Sequence, residues 1–236
     1  MTRTDQEVHP GLRQRRLEAA AAAQGVSWDE GIYSLIEEIV ADYSLSGKVL
    51  DYGAGIGNLS RRLVMSGRFT EVCAADIIAA PPRLDGVTWL SQDLNEPMAG
   101  YDEYFDAIVA SEVVEHLENP RAMLRDLFRM CRPGGHAIVT TPNNESVRSL
   151  LALVVRGHFV YFDKGWYPGH IVALLRKDLT RIFCEAGFEP PAFRFTRTGS
   201  LPGSPSRTWQ QISFGRLGGV RFSNNLAAIA RKPVRK

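Results

Sequence analysis

Asp51-Tyr52-Gly53-Ala54-Gly55-Ile56-Gly57 is the stretch that decides how this chain folds. Before it, Lys48-Val49-Leu50 reads as the end of a buried strand. After it, Asn58-Leu59-Ser60-Arg61-Arg62-Leu63-Val64 reads as the first turns of a helix. A strand, a tight glycine turn and a helix N-terminus make a nucleotide-binding corner. The glycines let the backbone approach a ligand, and the helix start offers N–H groups that no carbonyl has taken. Spacing narrows the ligand. A dinucleotide fingerprint orders its glycines G-x-G-x-x-G; here the third comes one residue early, and Asn58 holds the place of that glycine. This disfavours a nicotinamide enzyme. An acid, Asp51, opens the motif instead.

Outward from the corner the chain alternates strand and crossover. Glu71-Val72-Cys73-Ala74-Ala75-Asp76 reads as a second strand ending in an acid, at a distance from the glycine turn that suits a pair of ribose hydroxyls. Val87 to Leu90 reads as a third strand, followed by Gln92-Asp93-Leu94. Phe105 to Ala110 is a fourth, followed by Ser111-Glu112-Val113-Val114-Glu115-His116-Leu117. Arg132-Pro133-Gly134-Gly135 turns into a fifth strand, His136 to Thr141, closed by Pro142-Asn143. Between Asp76 and Val87 the adjacent Pro81 and Pro82 interrupt any helix, so a short or irregular crossover is expected there.

Asp51 with Gly53, Gly55 and Gly57 resembles motif I of the class I S-adenosylmethionine-dependent methyltransferases, and the ordered landmarks from residue 47 to 143 resemble the same family. The resemblance implies an α/β fold: a doubly wound, Rossmann-like, seven-stranded sheet whose last two strands form an antiparallel pair. It implies S-adenosylmethionine as cofactor. Asp51 and the turn Gly53, Ala54, Gly55 and Gly57 would hold its methionine portion, Asp76 the ribose, and Asp93 with Leu94 the adenine, with Ser111 alongside. Local turn or cap roles are the alternative for each aspartate.

With 236 residues the chain suffices for one large α/β domain with a full core. Apolar content of 44% and charged content of 23% are those of an ordinary globular protein, and a net charge of +2 gives no global field for nucleic acid or membrane. The distribution is uneven. From Ser91 to Pro120 the acids Asp93, Glu96, Asp102, Glu103, Asp106, Glu112, Glu115 and Glu118 occur without a lysine or arginine, and from Arg194 onward basic residues dominate. This reads either as a solvated face with a basic tail, or as an acidic site rim with a basic patch for an anionic substrate. Cys73, Cys131 and Cys184 show no metal or redox spacing and suit a reducing compartment. No apolar run approaches the ~18 residues that span a bilayer. Ala19 to Ala23 is too short for a signal peptide, so a cytoplasmic location is expected.

One domain with four parts is expected. Residues 1–45 carry helices that, in the family, cover the cofactor: a basic start running into a helix from Leu12 to Gln24, then a second with Ile32, Leu35, Ile36, Ile39 and Val40 at helical spacing. Residues 46–142 form the cofactor-binding core. Residues 143–175 are an insertion after the fifth strand, apolar from Leu150 to Val155 and then aromatic (Phe159, Tyr161, Phe162, Trp166, Tyr167). It is either a lid over the acceptor, since ligands bind at the C-terminal ends of the strands, or a helix packed on the core. Residues 176–236 hold a helix from Arg176 to Ala186 stopped by Gly187, and the strands Phe188 to Thr196 and Asn225 to Ala230. Gly199 to Pro205 reads as loop.

Chemistry on the acceptor side rests on Glu112, Glu115 and His116, whose i, i+3, i+4 spacing shares one face if the segment is helical. His170 returns past the insertion. Two carboxylates and two imidazoles suit a divalent metal such as Mg or Mn; helix-start acids with His116 as a metal-free base is the other reading. Glu-x-x-Glu-His with Thr-Pro-Asn and a later histidine resembles the ubiquinone-biosynthesis O-methyltransferases and the small-RNA 3′-terminal 2′-O-methyltransferases, which implies a divalent metal at Glu112, Glu115, His116 and His170. The reading that results is transfer of a methyl to a hydroxyl of a small or medium-sized acceptor (a phenol, quinol or sugar), with Glu112, His116 and His170 catalytic. Its rivals are an RNA-end methyltransferase, weakened by the near-neutral charge, and a binding protein without catalysis. Nothing in the sequence fixes an oligomeric state.

Overall fold

The computed structural model describes residues 10–22 and 30–234. The basic start at residues 1–9 and the end of the first expected helix, residues 23 and 24, lie outside them. In chain order the elements are α1 (Pro10–Ala22), α2 (Glu30–Asp42), β1 (Gly47–Tyr52), α3 (Asn58–Met65), β2 (Phe69–Asp76), β3 (Val87–Ser91), β4 (Phe105–Ser111), α4 (Pro120–Met130), β5 (Cys131–Pro142), α5 (Val147–Arg156), α6 (Arg176–Ala186), β6 (Ala192–Phe195), β7 (Ser200–Leu201), β8 (Ser204–Thr208), α7 (Trp209–Ile212) and β9 (Asn225–Arg231).

Seven of the strands form one sheet in the order β3-β2-β1-β4-β5-β9-β6. All neighbours are parallel except β9, which runs antiparallel to both β5 and β6, with Ala137 opposite Ala230 and Phe193 opposite Ala228. Continuous apolar strands need cover on both faces, and the helices supply it. On one side Ile32, Leu35, Ile36 and Ile39 of α2 meet Val49, Val109, Ile138 and Ile229. On the other, Leu124 and Leu127 of α4 and Leu179 and Phe183 of α6 meet Leu50, Ile108, Val139 and Ala228. Strand order reverses between β1 and β4, and a ligand crevice forms beyond the strand ends at such a switch point. Everything functional below lies there.

Local chemistry sets the helix ends. Asn119 caps α4 by accepting the Ala122 N–H at 3.0 Å, with Pro120 in the first turn where its missing N–H is harmless. Gly187 stops α6 in the left-handed conformation, as its position predicts. The Pro81-Pro82 crossover carries no helix. Three boundaries differ from expectation. The strand expected from Phe188 shrinks to Ala192–Phe195, because Pro190 and Pro191 cannot donate to a ladder. β5 begins already at Cys131, opposite Phe105, so the Gly134-Gly135 turn sits inside the strand as an irregularity. Gly199 to Pro205 is not plain loop: β7 and β8 form a hairpin there, followed by the short α7. Among the described residues no helix is long and apolar enough to cross a membrane.

Candidate active site

Gly53, Gly55 and Gly57 all take positive φ (86°, 54° and 77°), so the corner needs residues that tolerate the left-handed region. The N–H groups of Gly53 and Ala54 both donate to the Ala75 carbonyl, at 2.8 and 3.1 Å, tying the turn to the end of β2. A Cβ on Gly53 would lie 2.2 Å from Val113 Cγ2. Gly53→Ala is therefore expected to destabilise the fold by about 2–5 kcal/mol, backbone strain and overpacking together. A urea midpoint equal to that of the parent would contradict this close approach.

Asp51 is fully buried on β1. One carboxylate oxygen accepts the Ser60 hydroxyl at 2.6 Å; the other, Oδ1, has no partner among the described residues. Burial pushes its carboxyl up to about 7, against the opposing Ser60 hydrogen bond. A lone buried carboxylate oxygen lining a chamber fits a cationic group, such as the amino end of the methionine portion of the cofactor. Asp76 ends β2. It accepts the Gly55 N–H at 2.7 Å and the Ile78 N–H at 3.1 Å, which partly offsets the upward push of burial on its carboxyl. Asp93 accepts the Asn95 N–H at 3.0 Å through one oxygen and Arg16 Nη1 at 3.0 Å through the other.

A cavity of about 1060 Å³ runs from this corner across the strand ends. Asp51, Gly53, Ala54, Gly55, Asp76, Asp93, Leu94, Ser111, Glu112, His116 and His170 line it. Gly57 does not line it; it precedes α3 and donates its N–H to the Ala54 carbonyl at 2.8 Å. Leu94 also accepts the Tyr52 hydroxyl at 3.0 Å on its carbonyl, and Ser111 Oγ lies 3.4 Å from Thr140 Oγ1. The N-terminal helices close one side through Arg16, Ile32 and Tyr33.

At the far end the expected shared face of Glu112, Glu115 and His116 does not form. The segment after β4 is a single 3-10 turn, Val114–His116, and Glu112 precedes it at φ 55°. Side chains three and four apart share a face only inside a helix. The Glu112 carboxylate instead accepts Thr140 Oγ1 at 2.8 Å and Asn225 Nδ2 at 2.7 Å. Glu115 is fully buried, with one oxygen accepting Thr141 Oγ1 at 3.1 Å and the other, Oε1, without a partner among the described residues. His116 donates Nδ1–H to the Gly169 carbonyl at 3.0 Å, which leaves Nε2 as the lone pair of the ring. The His170 ring centroid lies 4.7 Å from that of His116, and His170 Nδ1 is buried and unpartnered among the described residues.

One ligand atom each from Glu115, His116 and His170 lies within 4.8 Å of the others; Glu112 is outside this group. Burial, with Glu112 nearby, raises the Glu115 carboxyl well above its usual range. Burial also lowers both imidazoles, that of His170 to about 4 with help from His116. Two neutral imidazoles and a buried carboxyl with orphaned acceptor atoms are a donor set that fits a divalent cation. The insertion closes this end. Trp166 lies 4.8 Å from His170 and 5.4 Å from Tyr161 between ring centroids, and Tyr161, Trp166 and Tyr167 line the cavity. Its chain is fastened to the 3-10 turn by the N–H groups of Ile171 and Val172, which donate to the Glu115 carbonyl at 2.9 and 3.1 Å.

Several lining residues carry no signal in the sequence. Thr198, Asn224 and Asn225 reach the cavity from the segments that join the C-terminal strands and from the start of β9, and Arg16 from α1. Each is polar in a way that also suits an ordinary loop or helix surface, and only the fold brings it to the site.

The methyltransferase-domain family matches the chain over residues 21–190. Two similar curated proteins are ubiquinone biosynthesis O-methyltransferases. That of Xylella fastidiosa is 30% identical over 62% of this chain and 67% of its own length. That of Xanthomonas oryzae is 28% identical over 65% of this chain and 72% of its own. A third, from Proteus mirabilis, is 29% identical, and the chain spans 51% of its length. Among solved structures, an S-adenosylmethionine-dependent methyltransferase from Archaeoglobus fulgidus superposes with a TM-score of 0.59 at 21% identity, over 85% of this chain and 94% of that one. The Burkholderia thailandensis 1,6-didemethyltoxoflavin-N1-methyltransferase, with S-adenosylhomocysteine bound, superposes with a TM-score of 0.62 at 16% identity, over 98% of each chain. The chain belongs to the methyltransferase-domain family.

Proposed function

We propose that the protein methylates a hydroxyl of a small or medium-sized acceptor, a phenol or quinol before a sugar. The observation that carries this is the meeting of His116, His170 and Glu115, with the Trp166 ring 4.8 Å from that of His170 where Tyr161, Trp166 and Tyr167 line the cavity. Aromatic walls suit a flat, apolar acceptor, and neutral imidazoles suit removal of a hydroxyl proton. The O-methyltransferase relatives support the choice of oxygen. Among the described residues, Arg15 and Arg16 are the only lysine or arginine side chains lining the cavity, and both belong to α1. That gives an RNA backbone nothing to follow toward the acceptor end.

In this reading Asp51 takes the amino group of the methionine portion, Asp76 the ribose hydroxyls and Asp93 the adenine edge. When bound, S-adenosylmethionine would supply a sulfonium-bound methyl, which passes to the acceptor oxygen by in-line attack at the methyl carbon while the thioether of S-adenosylhomocysteine leaves. His116 receives the acceptor proton at Nε2, held in that tautomer by the Gly169 carbonyl. Glu112 stands near Glu115, its carboxylate pinned by Thr140 and Asn225. With Mg or Mn present, Glu115, His116 and His170 would hold it, the Nε2 lone pair of His116 then serving as a ligand in place of a base, and the ion would lower the pKa of a coordinated hydroxyl. The insertion positions the acceptor and keeps water out.

Replacing residues 159–167 with a glycine-serine linker tests the reading. Affinity for S-adenosylhomocysteine should survive and turnover of a phenol and quinol panel should collapse. A protein that no longer folds would show the segment to be core, and turnover of an RNA 3′ end alone would favour the rival.

A proton linkage follows at Asp51. Its raised pKa keeps it protonated below about pH 7 in the free protein. A bound ammonium favours the carboxylate, so binding there releases a proton, and affinity is lost as pH falls below about 7. Calorimetry of S-adenosylhomocysteine binding at about pH 6, in buffers of different ionisation enthalpy, should show proton release. Binding that is independent of buffer and pH would contradict this role.

A further inference from the structure

The run of acids from Ser91 to Pro120 has a partner that the reaction does not use. Arg16, on α1, is only 13% exposed and bonds three carboxylates: Asp93 and Glu96 through Nη1, both at 3.0 Å, and Glu118 through Nε and Nη2, at 3.0 and 2.8 Å. These acids come from two separate segments, after β3 and after the 3-10 turn, and α1 is the only described element that bridges them with a cation. Arg15, Arg16 and Ala20 of α1 also line the cavity at the end where Asp93 and Leu94 sit.

Among the described side chains of α1, none belongs to either of the two buried apolar cores, whereas α2 contributes six residues. The described tie between α1 and the rest of the molecule is therefore polar, and a planar guanidinium suits several carboxylates at once. We infer that Arg16 is a latch: its clasp on Asp93, Glu96 and Glu118 closes α1 over the cofactor end of the cavity, and opening of that clasp sets how fast the cofactor enters and the spent cofactor leaves. Asp93, Glu96 and Glu118 of the acidic run are then the receptor of the latch, while Asp102, Glu103 and Asp106 pair with Arg129, Lys232 and Arg132. Because Asp93 is shared, Arg16 is also a positioning residue for the carboxylate expected to meet adenine.

The inference rests on the cofactor reading of the cavity, and two measurements keep the two apart. Hydrogen exchange of the apo full-length chain tests the latch alone. Amides of residues 10–22 should exchange faster in Arg16→Ala and in the double variant Glu96→Gln/Glu118→Gln, and faster in the parent at high salt, while β1 and β4 stay protected. Stopped-flow displacement of S-adenosylhomocysteine then tests the gate. Release should quicken by about five- to tenfold in both variants, and the salt dependence of the parent release rate should disappear. Unchanged exchange of residues 10–22 in both variants overturns the latch. Loosened exchange with an unchanged release rate overturns the gate. Failure of the parent to bind S-adenosylhomocysteine overturns the cofactor reading itself.

Discussion

Asp76→Ala is expected to weaken S-adenosylhomocysteine binding by about two to four orders of magnitude. The variant loses two hydrogen bonds to the ribose, each worth about 1.5–3 kcal/mol when made to a charged acceptor. It also loses the acceptor for the Gly55 and Ile78 N–H groups, so Gly55 and the start of the crossover lose a tie to β2 while Gly53 and Ala54 stay bonded to the Ala75 carbonyl. The core does not depend on this side chain: the strand itself is held by its ladders to β1 and β3. Calorimetry on folded protein should therefore show lost affinity with little change in melting temperature. Binding as tight as that of the parent would move the ribose away from Asp76.

The second large effect is expected at the other end of the cavity. His116→Ala should lower kcat by about 10²–10⁴-fold, the range for loss of a positioned base, while S-adenosylhomocysteine affinity holds. Glu115→Gln should do the same if a cation is shared, because the orphaned oxygen of Glu115 is then a ligand and not a proton carrier. A chelator should mimic both substitutions, and Mg or Mn should restore the parent but neither variant. Activity indifferent to the chelator, with His116→Ala still inactive, leaves a metal-free base. Activity surviving in His116→Ala would remove the base as well.

Much of this was open to reading because the signals are local. Val49-Leu50, Ile108-Val109 and Ile138-Val139 are apolar on both strand faces because helices cover both. Gly53, Gly55 and Gly57 mark positive φ values that only the backbone demands. Gly187 ends α6 for the same reason. Other features depend on contacts between distant residues. Spacing places Glu112 with Glu115 and His116, but Thr140 and Asn225 draw its carboxylate aside, the latter from 113 residues away. Arg16 reads as one more charge in a basic helix until Asp93, 77 residues on, meets it. The β7–β8 hairpin hides in a Gly-Pro-Ser stretch whose composition suits a loop equally well.

Transfer to oxygen is the central claim, and one measurement addresses it directly. The full-length protein, S-adenosylmethionine labelled with ¹³C at the methyl, added Mg and a panel of phenols, catechols, quinols, sugars and RNA ends are incubated together and followed by ¹³C NMR. The account predicts a methoxy carbon on a phenolic or quinol acceptor, formed by the parent and absent with His116→Ala. A label that arrives on carbon or nitrogen, or only on the RNA end, would contradict it, as would label that never leaves a cofactor the protein demonstrably binds.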